Sequence, residues 1–263
     1  MAAKIHGSTT DYRNIMQLDK VGVRSRLAPF SAQVEAGLQI HLIGANGAGK
    51  STLLARIAGL LPGEGTVLLA GKSLPDYQGH ELARYRAYLP QQQPATAVMP
   101  LLQYLALHLP GGTCVDRPTV VATIGYLCQK LRLVDKLPHR LNLLSGGEWQ
   151  RVRLAAIFLQ VWPDINSDSK ILLLDEPANS LDVGQKAALN DLVRKFCQAG
   201  RSVIISTHDL NHSLQQADQI WLLAAGRVVI QGKAKQVMQP KILSKIFGIE
   251  FQRQRFHQRD WII

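Results

Sequence analysis

The run GANGAGKS, Gly44 to Ser51, joins two different periodicities. Before it, LQIHLIG (Leu38–Gly44) is an apolar stretch of strand length, and after it KSTLLARIAGLL repeats its apolar residues at helical spacing. A strand that becomes a helix through Gly44, Gly47 and Gly49 constrains this chain more than any other feature. Glycines let successive backbone N–H groups converge, and the helix N-terminus adds partial positive charge, so such a turn suits phosphate oxygens. A plain glycine turn is the competing reading, and the residues that follow argue against it. In the pattern GxxxxGK[ST], Gly44, Ala45, Asn46, Gly47, Ala48 and Gly49 supply the backbone cradle. Lys50 then reaches the β- and γ-phosphates, Ser51 a magnesium ion and Thr52 a neighbouring phosphate oxygen.

The rest of the chain alternates strands and helices, which predicts an α/β architecture with a mainly parallel sheet. GTVLLAGKSL reads as a strand and turn, KILLLDEP (Lys170–Pro177) and RSVIISTHD (Arg201–Asp209) as short buried strands, and QIWLLAAGRVVIQG as a hairpin. From about Pro94 to Gln160 the pattern is mostly helical, broken at Pro100, Pro110, Pro118 and Pro138. No internal repeat or low-complexity tract interrupts it.

Two of those strands end in unusual polar groups. A buried strand does not finish in Asp175–Glu176 for packing reasons, because adjacent carboxylates repel and lose solvation. Asp175 suits Mg²⁺, directly or through water, and Glu176 suits a general base for an attacking water. His208 ends VIISTH; a lone histidine there is more often structural, but ligands of parallel sheets sit at strand carboxyl ends. Gly44–Ser51, Asp175–Glu176 and His208 all follow such ends, so His208 is a candidate donor to a γ-phosphate.

LLSGGEWQRVRLAAIFLQ, Leu143–Gln160, is a helix with an odd beginning. Ser145 and Glu148 form a capping-box pattern, while Trp149, Val152, Ala155, Ala156 and Leu159 recur at helical spacing with Arg151 and Arg153 between them. A cap contributes about 1 kcal/mol, and each of Gly146 and Gly147 costs up to about 1 kcal/mol in a helix. A bare glycine-lined start is therefore poor as a helix but good as an anion site, since a phosphate can approach its exposed N–H groups.

Composition narrows the setting. With 263 residues, 46% hydrophobic and 19% charged, the chain has the makeup of a globular protein with a substantial core. There is no apolar run near membrane-spanning length and no leader-like apolar segment in MAAKIHGSTTDYRNI. Cys114, Cys128 and Cys197 are few, odd in number and widely spaced, which argues against a disulfide framework or zinc site and suits a reducing cytoplasm. The formal charge of +11 asks for an anionic neighbour, either nucleic acid or an acidic membrane surface. The excess is strong in Lys233–Ile263, although a solvated basic tail reads equally well.

These motifs, in this order, resemble those of ATP-binding cassette (ABC) ATPases over nearly the whole chain. Gly44–Ser51 matches Walker A, YLPQQQ a glutamine loop, Leu144–Glu148 the LSGGE signature, Ile171–Glu176 Walker B, Ser180–Asp182 the SLD motif and His208 the switch histidine. The resemblance implies a P-loop NTPase (RecA-like) core with a mainly parallel sheet, an antiparallel β region and a helical subdomain. It implies one ABC ATPase domain over 1–263, with core segments at about 15–92 and 161–263 and a helical signature subdomain at about 93–160. ATP and Mg²⁺ are the implied cofactors. Gln91 is the implied sensor of Mg²⁺ and γ-phosphate, with Gln92 and Gln93 as alternatives, and Pro94 and Pro100 bracket a hinge. Ser145, Gly146 and Gly147 are implied to clamp the nucleotide of a second copy, with Asp182 communicating across the dimer. The chain departs from the family where an aromatic usually stacks on adenine: KVGVRSRLAPF has none at that place, which leaves Arg24 or Arg26. Ala45 replaces a common proline and Glu148 a common glutamine.

The stretch between Lys50 and Ser145 lacks the long coiled coils of repair and chromosome ABC proteins, and one cassette rather than two sets the chain apart from translation types. A detached importer ATPase is the implied class, peripheral on the cytoplasmic face of a bacterial inner membrane. Its implied partners are a second copy, two membrane permease subunits and, indirectly, a periplasmic substrate-binding protein, with no nucleic acid. HLIGANGAGKSTLLARIAGL, RAYLPQQQ, LSGGEWQRVRLAA, ILLLDEPANSLDV and HDLNHSL are similar to ATPases of vitamin B12 (cobalamin) importers, with iron-siderophore and haem importers as near alternatives. A nucleic-acid-linked ABC ATPase is the reading from another class.

Overall fold

The computed structural model describes residues 14–91, 94 and 98–263. Gln92, Gln93, the middle of the Pro94–Pro100 segment and most of the N-terminal stretch read for a leader lie outside these residues. The chain starts with strands β1 (Asn14–Val23), β2 (Leu27–Glu35) and β3 (Gln39–Ile43), then helix α1 (Lys50–Ile57). Strands β4 (Glu64–Leu69) and β5 (Lys72–Ser73), helix α2 (Gly79–Tyr85) and strand β6 (Arg86–Leu89) follow. Three helices come next, α3 (Leu101–Ala106), α4 (Pro118–Lys130) and α5 (Gly146–Val161). The chain then alternates β7 (Ile171–Asp175), α6 (Val183–Gln198), β8 (Ser202–Ser206), α7 (Leu210–Gln216) and β9 (Gln219–Ala224). It closes with β10 (Arg227–Lys233), α8 (Ala234–Val237), α9 (Pro240–Phe247), β11 (Arg253–Phe256) and β12 (Arg259–Ile262).

The main sheet has the order β10-β9-β3-β8-β7-β6. All its neighbours are parallel except β10, which turns back on β9 through Ala225–Gly226. Both turn residues have positive φ, 47° and 71°, as a tight two-residue hairpin requires. β3, β7 and β8 are buried at every position because both faces are covered. Successive side chains of β7 feed opposite cores: Leu172 and Leu174 join the cluster around α5, Ile171 and Leu173 the cluster around α1.

α1 lies between the main sheet and an antiparallel sheet of order β2-β1-β4-β5. On the opposite face α5 packs against β6 and β7 and against α3 and α4. It is buried almost all round, so Arg151 and Arg153 lie inside together with the apolar stripe. The final residues FHQRDWII, unexplained by pattern, supply the turn and second strand of the β11–β12 hairpin, whose β12 packs on α7. Because β3, β6, β7 and β8 are parallel, the residues following them emerge at one edge, where polar groups gather.

Candidate nucleotide-binding site

Gly44 leaves β3 where only hydrogen fits, since a Cβ there would lie 2.3 Å from the Leu223 carbonyl oxygen. Gly49, with φ 102°, ends the turn as the N-cap of α1. That helix carries no acid in its first turn and no side-chain cap, so its leading N–H groups are open to an anion. Lys50 is buried and folds over its own loop, donating to Gly44 O at 2.8 Å and Ala45 O at 3.2 Å. Burial lowers its pKa, while the charges of Glu176 and Asp175 pull it back up. A phosphate can replace both carbonyls and remove that penalty.

Asp175 ends β7 only 2% exposed. Ser206, at the end of β8, donates its hydroxyl to Asp175 Oδ1 and accepts the Glu176 N–H at 2.9 Å. One serine therefore fixes both acids. Glu176 sits at φ 49°, a left-handed conformation that costs a non-glycine residue about 1–3 kcal/mol. Its Oε2 accepts from Asn179 Nδ2 at 2.7 Å and from Gln91 Nε2 at 3.4 Å. Ser206 and Asn179 did not stand out in the sequence. Their only trace was position, at the end of one strand and three residues after Glu176.

A cleft of about 870 Å³ brings Lys50, Ser51, Thr52, Gln91 and Glu176 together. The β1–β2 turn with Arg24 and Arg26 also lines it. Exposed His208 faces a separate cavity of about 80 Å³, which it shares with Glu176 and Asn179. Behind it α7 is tied to β3 through His41, a buried histidine that sequence reading passed over. His41 Nδ1 bonds Ser213 Oγ at 2.9 Å, and Ser213 in turn donates to Asp209 O, so the imidazole supplies the proton. Burial, and secondarily His212, push His41 down to about 3, which keeps the ring neutral.

Ser145, Gly146 and Gly147 are not among the residues lining the cleft that holds Lys50. Ser145 caps α5 in the expected box, its Oγ accepting from Glu148 N at 3.3 Å and its N donating to Glu148 Oε2 at 2.8 Å. Hydrogen bonds from the Ser145 backbone and hydroxyl, then Lys136 at 3.1 Å, hold the Glu148 carboxyl down at about 2. Gly147 passes so close to the Ser180 carbonyl that a Cβ would approach it to 3.0 Å. Asp182 is exposed and caps α6, its Oδ1 accepting from Gln185 N at 2.7 Å.

The donor set fits magnesium. Among the described residues no group of three or more His, Cys, Asp and Glu could form a protein cage. Mg²⁺ commonly takes one or two protein ligands and completes its shell with phosphate and water oxygens, and the Ser51 hydroxyl and the Asp175 carboxylate are oxygen donors of the kind it takes.

A parallel sheet with a phosphate turn, paired carboxylates and a glutamine at one edge defines an ATP-hydrolysing cassette. The ABC transporter family model matches residues 27–179, and the chain belongs to that family, in which ATP hydrolysis is coupled to transport. The vitamin B12 import ATP-binding protein BtuD of Yersinia pseudotuberculosis is 62% identical over 94% of this chain and 97% of its own. Its counterpart from Pectobacterium atrosepticum is 51% identical over 94% and 98%. Among solved structures, an ATP-binding subunit of an ABC transporter superposes with TM-score 0.76 at 24% identity, covering 90% of this chain and 94% of its own. A nucleotide-free ATP-binding cassette from an ABC transporter gives 0.72 at 21% identity, with coverage of 89% and 98%.

Proposed function

We propose that the chain is the ATPase subunit that powers vitamin B12 import through a separate membrane permease. The 62% identity to a vitamin B12 import ATP-binding protein over nearly both lengths carries the cargo. The subunit would not touch that cargo, so nothing in its cleft encodes it. In the proposed reaction the backbone of Gly44–Gly49 cradles the phosphates, with Lys50 on the β- and γ-phosphates and Thr52 on a neighbouring oxygen. Ser51, Asp175 and Gln91 would hold Mg²⁺, which would neutralise the charge that develops on the transferred phosphoryl group. Glu176 accepts the proton of the attacking water, and His208 donates to the γ-phosphate.

Two copies close head to tail, Ser145, Gly146 and Gly147 of one meeting the nucleotide on Lys50 of the other. The absence of Ser145–Gly147 from their own chain's cleft lining supports this reading. Asp182 communicates across the interface. The chain acts as one ABC ATPase domain, whose helical segment at about 93–160 pulls on two permease subunits. A periplasmic binding protein takes part indirectly, and nucleic acid takes none. No described helix is long and apolar enough to cross a membrane. The proposed place is peripheral, on the cytoplasmic face of a bacterial inner membrane.

Co-purification from native membranes followed by reconstitution tests the cargo. ATP-dependent cobalamin uptake is the expected result, and uptake of a siderophore instead would overturn the cargo while leaving the ATPase intact. Lys50→Ala tests the phosphate site. Hydrogen bonds to charged groups contribute about 1.5–3 kcal/mol, so ATP affinity should fall about 10–100-fold in a fluorescent-nucleotide titration. An unchanged affinity would remove Lys50 from phosphate binding.

A further inference from the structure

A guanidinium with no carboxylate partner among the described ion pairs lies under the glutamine loop. Arg153 belongs to the second turn of α5 and is 7% exposed. Its Nη1 donates to Gln150 Oε1 at 2.9 Å; its Nη2 donates to Pro90 O at 2.6 Å and to Gln91 O at 3.4 Å. Gln150, 1% exposed, donates its Nε2 to Pro177 O at 2.9 Å. A guanidinium can only donate, so the Gln150 oxygen must face Arg153 and its nitrogen the Pro177 carbonyl. Pro177 follows Glu176, and Glu176 Oε2 meets Gln91 Nε2. The contacts therefore form a ring through Glu176, Gln91, Arg153, Gln150 and Pro177.

Filling space does not explain this arrangement. A buried cation without a counter-charge is costly, and an apolar side chain of similar volume would fill the same space at less cost. The mainchain oxygens that Arg153 binds belong to the loop that carries Gln91, and its other link runs to the residue after Glu176. Both ends of the ring are thus candidate catalytic groups, while the middle lies on the helix that begins with Ser145.

We infer that Arg153 is a positioning residue for ATP hydrolysis, holding the Pro90–Gln91 backbone and, through Gln150, the Pro177 carbonyl one residue past Glu176 on one rigid helix. This rests on the ATPase reading. Any displacement of the α5 start then shifts Gln91 and Glu176 together.

Steady-state ATPase measurements on the full chain test it. Arg153→Met should lower kcat about tenfold while KM and the affinity for a fluorescent ATP analogue stay within about twofold, even though the acceptors it leaves unpaired lower the melting temperature. Arg153→Lys, which keeps the charge but can satisfy fewer carbonyls, should recover part of kcat. Gln150→Leu should lower kcat similarly, and the double variant should be no slower than the worse single one. Parent-like kcat in Arg153→Met, additive losses in the double variant, or a kcat loss matched by lost nucleotide affinity would each overturn the assignment. If Arg153→Met fails to fold, Gln150→Leu carries the test, and parent-like kcat there overturns it. A parent chain that hydrolyses no ATP would instead refute the ATPase reading, before any substitution is compared.

Discussion

Glu176→Gln is expected to bind MgATP as the parent chain does and to hydrolyse it about 10²–10⁴-fold more slowly. The amide keeps the size of the side chain, and its oxygen can still accept from Asn179 Nδ2, so the left-handed backbone at this residue keeps its local support. What is lost is the negative charge that polarises the attacking water. With nucleotide bound and turnover blocked, the closed dimer should accumulate. Single-turnover hydrolysis with light scattering in ATP reads both effects. Near-normal turnover would remove Glu176 as the base, whatever the dimer does.

The second large effect belongs to Ser145→Tyr. Loss of the cap costs about 1 kcal/mol, small against the roughly 5–15 kcal/mol that holds a typical domain folded. Ser145 does not line the cleft of its own chain, so ATP binding by the monomer should persist. Hydrolysis should fall on the order of 10²-fold or more, the loss typical of removing a preorganised anion donor from a reacting phosphate or carbonyl. Mixing supplies the control. A Ser145→Tyr chain paired with a Lys50→Ala chain contains one composite site with both elements intact, and activity should partly return. No recovery in the mixture, or full activity of Ser145→Tyr alone, would remove the shared-site arrangement.

The strongest local signals concerned backbone chemistry, which depends on short windows. Gly44–Ser51 appears as a strand-to-helix turn because glycine spacing and flanking periodicity suffice to specify it. The Ser145–Glu148 box and the Ala225–Gly226 hairpin formed for the same reason. Arg153 behaved differently. In the sequence it stands between the apolar positions with no role attached, yet α5 is enclosed by β6, β7, α3 and α4, and the arginine is inside. Ser206 and His41 escaped notice likewise, because a serine or histidine in an apolar strand shows its purpose only when its partner is known.

By itself the sequence determined the turn that can cradle phosphate, the acids at the end of β7 and the bare helix start, since each depends on residues within a few positions. The tertiary structure decided which of these groups share a space. Parallel pairing of β3, β8, β7 and β6 brings Lys50, Glu176 and Gln91 to one edge across 126 positions of chain, from Lys50 to Glu176. The same packing leaves Ser145 out of that cleft's lining and encloses Arg153 between the glutamine loop and Gln150, which holds the Pro177 carbonyl. Long-range contacts of this kind depend on how sheets and helices enclose one another, which no short window of residues encodes.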